Sequence, residues 1–406
     1  MKRLLPALLL PALLSCQQDL YTVELQLVLA EALAGSLADA DVDVVHRTID
    51  EAGTENGGSE SPQRFSFPRS ASVRFEVVLT RDDEDGLALI GGGSSPLQSA
   101  PADGGSLAVP MLVAPVSAAG LLSQTPQALG GDACVADDGQ GAVFLTGGST
   151  SQQGAYVIDP TFNVRGLAAG FPTGVGGVGC AAKGGVLAVA GSCVPGVPVF
   201  IVRVDANGRR EQVLVEGSPE ACGAAAAPMS DGRFWLVDGD NIAHVVQANG
   251  ARTFVGVVGA GSRGDIAITP KDGLVVIVGG ALAYITADTL EVTNLGPAIA
   301  VGRHGVEVLV LDDDGVISAV EDATLVPVRA DLGARAGVRS FVMLDDDTAV
   351  FLAGNGATVE AVASDGTART LQTGATGATR VAALPGGTLV IAGHNGNGVQ
   401  VLSLVD

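Results

Sequence analysis

Positive charge is what this chain of 406 residues has least of. Lys and Arg together number 22 against 44 Asp and Glu, so the formal net charge is −22 at pH 7, and only three of the cations are lysines. That balance excludes nucleic acid as a partner and electrostatic docking on anionic lipid, because both need a basic surface. It favours solubility on a crowded surface. Histidine is nearly as scarce. His46, His244, His304 and His394 show no ligand-like spacing, and no HExxH, GxSxG or His/Cys/Cys zinc pattern occurs. No catalytic residue, metal ligand or cofactor follows from the sequence, although a constellation assembled across distant segments would leave no local mark. Long apolar runs are also missing after the N-terminus: no stretch of 18 or more suggests a membrane-spanning helix.

The N-terminus itself is different. Lys2 and Arg3 precede the apolar run Leu4 to Leu14, which is too short for a stable transmembrane anchor and reads as an export signal. The tetrad Leu13-Leu14-Ser15-Cys16 that follows resembles the lipobox of bacterial lipoproteins. That resemblance implies cleavage after Ser15 and a lipid on Cys16, with residues 1–15 as the signal peptide. Gln17 stands where enteric inner-membrane lipoproteins often carry Asp, so by the same resemblance the outer membrane or cell surface is expected, with a periplasmic or secreted chain as the alternative. Loss of Lys2 and Arg3 takes the net charge to −24. Cys134, Cys180, Cys193 and Cys222 remain, an even number in an oxidising compartment, and two disulfides are expected. Three connectivities are open; Cys134–Cys180 with Cys193–Cys222 would join neighbouring repeats.

A short phrase recurs down the last two thirds of the chain: a turn, then a β-rich apolar run ending near Gly or Asp. Its turns are Asp138-Gly139, Gly184-Gly185, Asp231-Gly232, Asp272-Gly273, His304-Gly305, Asp347-Thr348 and Gly386-Gly387, with a mean spacing of about 41 residues. Strand-rich repeats of about 40–50 residues signify a β-propeller, one blade per repeat. A second set of turns runs in phase (Ala206-Asn207-Gly208, Ala248-Asn249-Gly250 and Ser364-Asp365-Gly366), which implies four strands per blade. The chain after residue 119 therefore reads as a seven-bladed propeller, with six or eight blades as alternatives. Cys180-Ala181-Ala182, Gly223 to Ala227 and Val381-Ala382-Ala383 supply small inner strands. The last repeat is one strand short, and a strand from 108–128 is expected to complete it.

Residues 16–118 lack the repeat. Alternating runs at 21–28 and 72–79, with candidates at 42–45, 64–67 and 107–113, predict a small β-sandwich of immunoglobulin-like type, and the stretches 52–62 and 91–105 read as loops. The linker falls around 115–128. In the propeller, Arg263…Asp272-Gly273-LVVIV-Gly279-Gly280, Arg339…Asp347-Thr348-AVFLA-Gly354 and Arg380…Gly386-Gly387-TLVIA-Gly393 resemble, in degenerate form, the blades of kelch and galactose-oxidase-like propellers. The resemblance implies the fold and no particular chemistry. A copper centre of the galactose-oxidase type is disfavoured, since Tyr21, Tyr156 and Tyr284 do not align with the histidines.

Other motifs have plainer readings. Gly259-Ala260-Gly261-Ser262-Arg263-Gly264 matches a dinucleotide fingerprint but lacks the helix that must follow, so it reads as a loop between blades. The acidic runs at 82–85, 312–314 and 345–347 read as solvated turns rather than calcium sites. Arg263, Arg339 and Arg380 occupy matching blade entrances. They could converge on a carboxylate, phosphate or acidic glycan, or hold blades together through carbonyls and Asp265. The expectation is an all-β, lipid-anchored protein, more binding module than enzyme, whose propeller face takes a protein or glycan. A polysaccharide- or ester-processing hydrolase or lyase, and a structural subunit of an envelope assembly, are the alternatives.

Overall fold

The computed structural model describes residues 20–33, 40–49, 55–60, 64–83, 86–102, 105–116, 120–121, 134–149, 152–169, 179–191, 198–217, 225–335, 337–373, 380–392 and 400–404. Among these residues the regular structure is all β, apart from short 3-10 turns such as Glu31–Leu33 and Gly354–Gly356.

Seven strands precede the repeats: β1 (Leu20–Leu29), β2 (Asp41–Ile49), β3 (Glu55–Glu60), β4 (Arg64–Pro68), β5 (Ser72–Asp83), β6 (Gly86–Ser94) and β7 (Ser106–Pro115). They form one hydrogen-bonded sheet in the order β3-β2-β5-β6-β7-β1-β4. Alternation decides its buried face: Val73, Phe75, Val77 and Leu79 of β5 all point inward with no exposed surface. They share one core with Tyr21, Val23 and Leu25 of β1, Phe65 and Phe67 of β4, and Met111 of β7. The sheet curls so far that His46 on β2 packs its ring 5.4 Å from Phe65 on β4 at the far edge. Where a two-sheet sandwich was expected, β1 joins the halves through a parallel ladder with β7. Two stretches read as loops also carry strands, β3 and much of β6. The glycines of β6 reflect close approach. A Cβ on Gly93 would stand 2.0 Å from the Leu112 carbonyl oxygen, and one on Gly91 would stand 2.7 Å from the Leu33 side chain.

From residue 134 onward the chain folds into successive four-stranded antiparallel meanders: 134–169, 180–214, 225–257, 263–297, 300–329, 340–372 and 380–402, numbered here 1 to 7 in chain order. Meander 7 supplies three strands, and β8 (Gly120–Leu121) completes it by pairing with Gln400 and Val401. The expected closing strand is thus present, within the stretch read as the linker. The first strands of the meanders stand side by side in chain order, and Arg380–Ala383 of meander 7 returns to Cys134–Asp137 of meander 1. This is the architecture of a β-propeller. Its apolar core is divided among the clefts between neighbours, as with Val202 against Phe144 for meanders 1 and 2, and Val276 against Trp235 for 3 and 4.

Small inner residues have a steric cause. Meanders 2 and 3 approach so closely that Cys180 and Ala226 form a parallel bridge pair, and a Cβ on Gly179 would lie 2.5 Å from that of Ala225. The sheet and the propeller share buried surface. Ala30, Leu112 and Ala114 pack in one cluster with Val143, Val390 and Val401. The Ser403 amide donates to the Pro115 carbonyl at 2.8 Å, and the Ser94 hydroxyl donates to the Gly386 carbonyl.

Candidate functional site

The propeller axis is the natural place to look for a site, and its geometry is set by the first strands. Alternate residues of each strand face the axis, so charged side chains there must meet one another or solvent. The hairpins between first and second strands all lie on one face of the propeller, and the connections from one meander to the next lie on the other.

Near the connection face, Arg380 of meander 7 reaches across to Asp265 of meander 4, Nη2 to Oδ1 at 2.7 Å. The second oxygen of Asp265 accepts the Val301 amide of meander 5 at 3.3 Å. At the hairpin face two more cations cross the axis. Lys183, ending the first strand of meander 2, places Nζ 2.5 Å from Asp272 Oδ1 and donates to the Thr269 and Pro270 carbonyls of meander 4 at 3.1 and 2.8 Å. Arg303, on the first strand of meander 5, donates through Nη2 to the Ala182 and Ile268 carbonyls at 3.3 and 3.0 Å. Between these contacts lies a half-open recess of ≈ 90 Å³, lined by Asp137, Asp265, Arg303, Ser340 and Arg380 among others. That volume holds a few waters and falls well short of the few hundred Å³ that small-molecule sites occupy.

Asp137 is the chemically unusual group here. Burial pushes its carboxyl up to about 6, against the pull of the Gly139 N–H, which donates at 2.6 Å, and of the nearby Arg303 charge. Burial correspondingly lowers the Arg303 guanidinium from its ordinary value, with Asp137 and Asp138 opposing the effect. Neighbouring carboxylates are engaged by backbone amides and side chains. Asp138 accepts from the Gln140, Ala142 and Gly185 amides at 2.8, 3.1 and 3.0 Å. Asp272 accepts the Ser230 amide and hydroxyl as well as Lys183, and its carbonyl takes the Trp235 indole N–H at 2.7 Å.

Outside the narrow axis, the hairpins of meanders 1 to 5 enclose an open basin of ≈ 640 Å³ on the hairpin face. Lys183, Arg203, Arg233 and Arg303 bring cations to it, and Val306 brings exposed apolar surface. A second crevice of ≈ 410 Å³ runs between β5 and the hairpins of meanders 6 and 7, with Arg74, Glu76, Asp346 and Arg369 in its walls.

The arginines singled out by sequence are not brought together as a trio. Arg380 is on the channel wall and neutralised by Asp265. Arg339 is exposed and does not line the cavity. Arg263 starts a first strand opposite Val278, and its side chain lies outside the described residues. The sequence missed Arg303, whose only local mark is its place four residues before the Glu307–Leu311 strand, next to a turn. Cys180 is disulfide-bonded and buried in the first strand of meander 2; Cys16, Cys193, Cys222 and the side chain of Cys134 lie outside the described residues. The acidic runs at 312–314 and 345–347 serve as turns, whereas Asp82 and Asp83 end strand β5 and residues 84–85 lie outside the described residues. Asp312 accepts the Val316 amide at 2.8 Å, and Asp346 accepts that of Thr348 at 3.0 Å. The glycine-rich segment 259–264 leads into a strand and connects meanders 3 and 4. One histidine is buried in a polar pair: His244 Nε2 lies 2.9 Å from Asp238 Oδ2. Burial opposes ionisation of Asp238, but the His244 ring and the Ile242 and Asp240 amides outweigh it and hold the carboxyl below its ordinary value.

No protein-family model matches the chain, and no curated protein matches it in sequence. Solved structures do match in shape. A catalytically inactive virginiamycin B lyase from Staphylococcus aureus, determined with quinupristin, is 12% identical with a TM-score of 0.51, over 70% of this chain and 97% of that one. A streptogramin B lyase structure gives 12% identity and a TM-score of 0.49, over 70% and 96%. The WD40 β-propeller domain of Doa1 gives 15% and 0.47, over 72% and 97%. At such identities the likeness to the Staphylococcus aureus structure concerns the fold alone, and it agrees with the meander topology: this chain is an all-β protein built around a β-propeller.

Proposed function

We propose that the chain is a non-catalytic binding or scaffold lipoprotein of the bacterial cell envelope, anchored through Cys16, whose seven-bladed propeller presents its hairpin face to a protein partner. The observation that carries this reading is the narrow axis, bridged by charged side chains. Arg380–Asp265 at one end and Lys183 and Arg303 at the other leave only ≈ 90 Å³ between them. A substrate therefore has no axial pocket, and recognition falls to the broad outer face. Seven blades are supported by the return of the last first strand to the first. The even number of cysteines after Cys16 supports an oxidising compartment.

Two measurements test the reading on the full chain expressed in a Gram-negative host. Metabolic labelling with a palmitate analogue should mark the wild type and not Cys16→Ser. A photo-crosslinking residue at exposed Gln247, in a hairpin of meander 3, should trap a discrete protein, whereas one at Val326, on the outer strand of meander 5, should not. Label retained in Cys16→Ser defeats the anchor. Crosslinks at Val326 alone would favour a structural subunit contacting neighbours through blade edges, and turnover of a polysaccharide or ester would defeat the non-catalytic reading.

A further inference from the structure

The hairpin-face basin has an unequal treatment of its four cations. Lys183 is paired with Asp272 at 2.5 Å, Arg233 with Asp231 at 2.6 Å, and Arg203 with Glu211 at 3.7 Å. Arg303 makes no ion pair among the described residues. Its guanidinium touches three neutral carbonyls, those of Ala182, Ile268 and, at 3.4 Å, Val306. A guanidinium has five N–H groups, so two find no acceptor there. Arg303 also lines both the basin and the axial cavity, and so forms the wall between them. The acids beside it do not compensate it by contact: Asp138 spends its oxygens on backbone amides, and Asp137 holds the Gly139 amide.

We propose that this basin is a binding site for a protein segment that inserts one carboxylate, from an Asp or Glu side chain or a chain terminus, onto Arg303, with an apolar neighbour on Val306. The proposal deepens the reading of the propeller as a protein-binding module and rests on it. Three features select this ligand. A fixed, planar fork of N–H groups held by carbonyls suits a carboxylate better than a point cation would. Val306 is 52% exposed at the rim, an apolar surface that a side chain of the segment would cover. The basin's aromatic ring, Phe234, is 1% exposed and so offers no face for a sugar to stack on, which disfavours a glycan. The net charge of −22 repels a strongly acidic partner. The segment should therefore carry its carboxylate within neutral or basic surroundings.

The test uses the full chain in detergent and an array of capped, fluorescent ten-residue peptides. One arm carries an internal Asp or Glu beside Leu or Val, a second a free C-terminal carboxylate, and a third the matching Asn, Gln or amide controls. An oligogalacturonate forms a fourth arm. Carboxylate peptides should bind at least ten-fold tighter than their controls, and the first two arms say which source is used. Arg303→Gln should lose at least ten-fold, and Arg303→Lys should recover only part of it. Should Arg303→Gln fail to fold, Val306→Glu, an exposed substitution, should still lose ten-fold by charge repulsion at the rim. Equal binding of the amide controls, unchanged affinity in Val306→Glu, selective binding of the oligogalacturonate, or no binding in any arm would each overturn the proposal. A crosslinked partner at Gln247 that persists in Val306→Glu would leave the binding-module reading standing while this site falls.

Discussion

The two halves of the molecule bury their apolar surface in different ways. The N-terminal sheet encloses one core, rich in aromatic rings: Tyr21, Phe65, Phe67 and Phe75. The propeller distributes its core among clefts between neighbouring meanders, filled mostly by Val, Leu, Ile and Ala, with Trp235 as its one indole. The contrast teaches how each should fail. A single core is lost as a unit, whereas a chain of nearest-neighbour interfaces can weaken locally before it opens.

The largest effects test that contrast directly. Phe75→Ala and Trp235→Ala each remove a fully buried ring and should cost about 3–5 kcal/mol. Hydrogen exchange should show Phe75→Ala deprotecting β1, β2, β4, β5 and β7 together. Trp235→Ala, which also frees the Asp272 carbonyl, should deprotect meanders 3 and 4 ahead of meander 6. Uniform deprotection in both variants would erase the distinction. Leu112→Ala sits where the halves meet, beside Val390 and Val401. It should cost about 2–4 kcal/mol and lower the calorimetric transitions of sheet and propeller alike; a shift confined to the sheet would show that the halves are energetically separate.

Charge separates the halves as well, since the sheet core is apolar while the propeller axis holds Asp137, Asp265, Arg303 and Arg380. Asp137 titrates near 6 in the fold and near 3.8 in its ordinary state. The native protein therefore holds more protons than the unfolded chain between those values, and stability falls as pH rises through that window. Asp137→Asn should accordingly be more stable than wild type at pH 7.5, by roughly 1–2 kcal/mol, with the gap closing by about pH 4 in thermal melts. A gap independent of pH would mean that Asp137 is neutral or already compensated. The smallest effect is expected at the surface. Lys271 and Asp322 form a 2.6 Å pair with both side chains mostly exposed, so Lys271→Ala should leave the melting temperature unchanged within error.

Legibility differed between the halves for the same physical reason. Alternation along β1 and β5 marked strands at once, because one face is buried against a single core. β3 and β6 were hidden: glycine permits the close packing of Gly91 and Gly93, but in isolation it looks like loop. In the propeller, each blade needs a tight turn before its second strand, so the turns recur and the period could be read. The inner strands were marked by their small residues for reasons of space. The site was harder. Arginine at blade entrances suggested a cluster, yet Arg380 found Asp265 three blades away, and two of the three carbonyls that Arg303 meets come from meanders 2 and 4, more than thirty residues distant in each case.

What the sequence determined by itself is the all-β class, the repeat, the strand that completes the last meander and the acidic turns at 312–314 and 345–347. Each of these follows from local rules of side-chain alternation and turn geometry that act within a few residues. Tertiary structure alone decided how narrow the axis is, which arginine lacks a carboxylate partner among the described residues, and that the N-terminal strands form one curled sheet. Those outcomes depend on which side chains meet across a ring or a fold in the sheet, and no local pattern encodes a distance between residues a hundred positions apart.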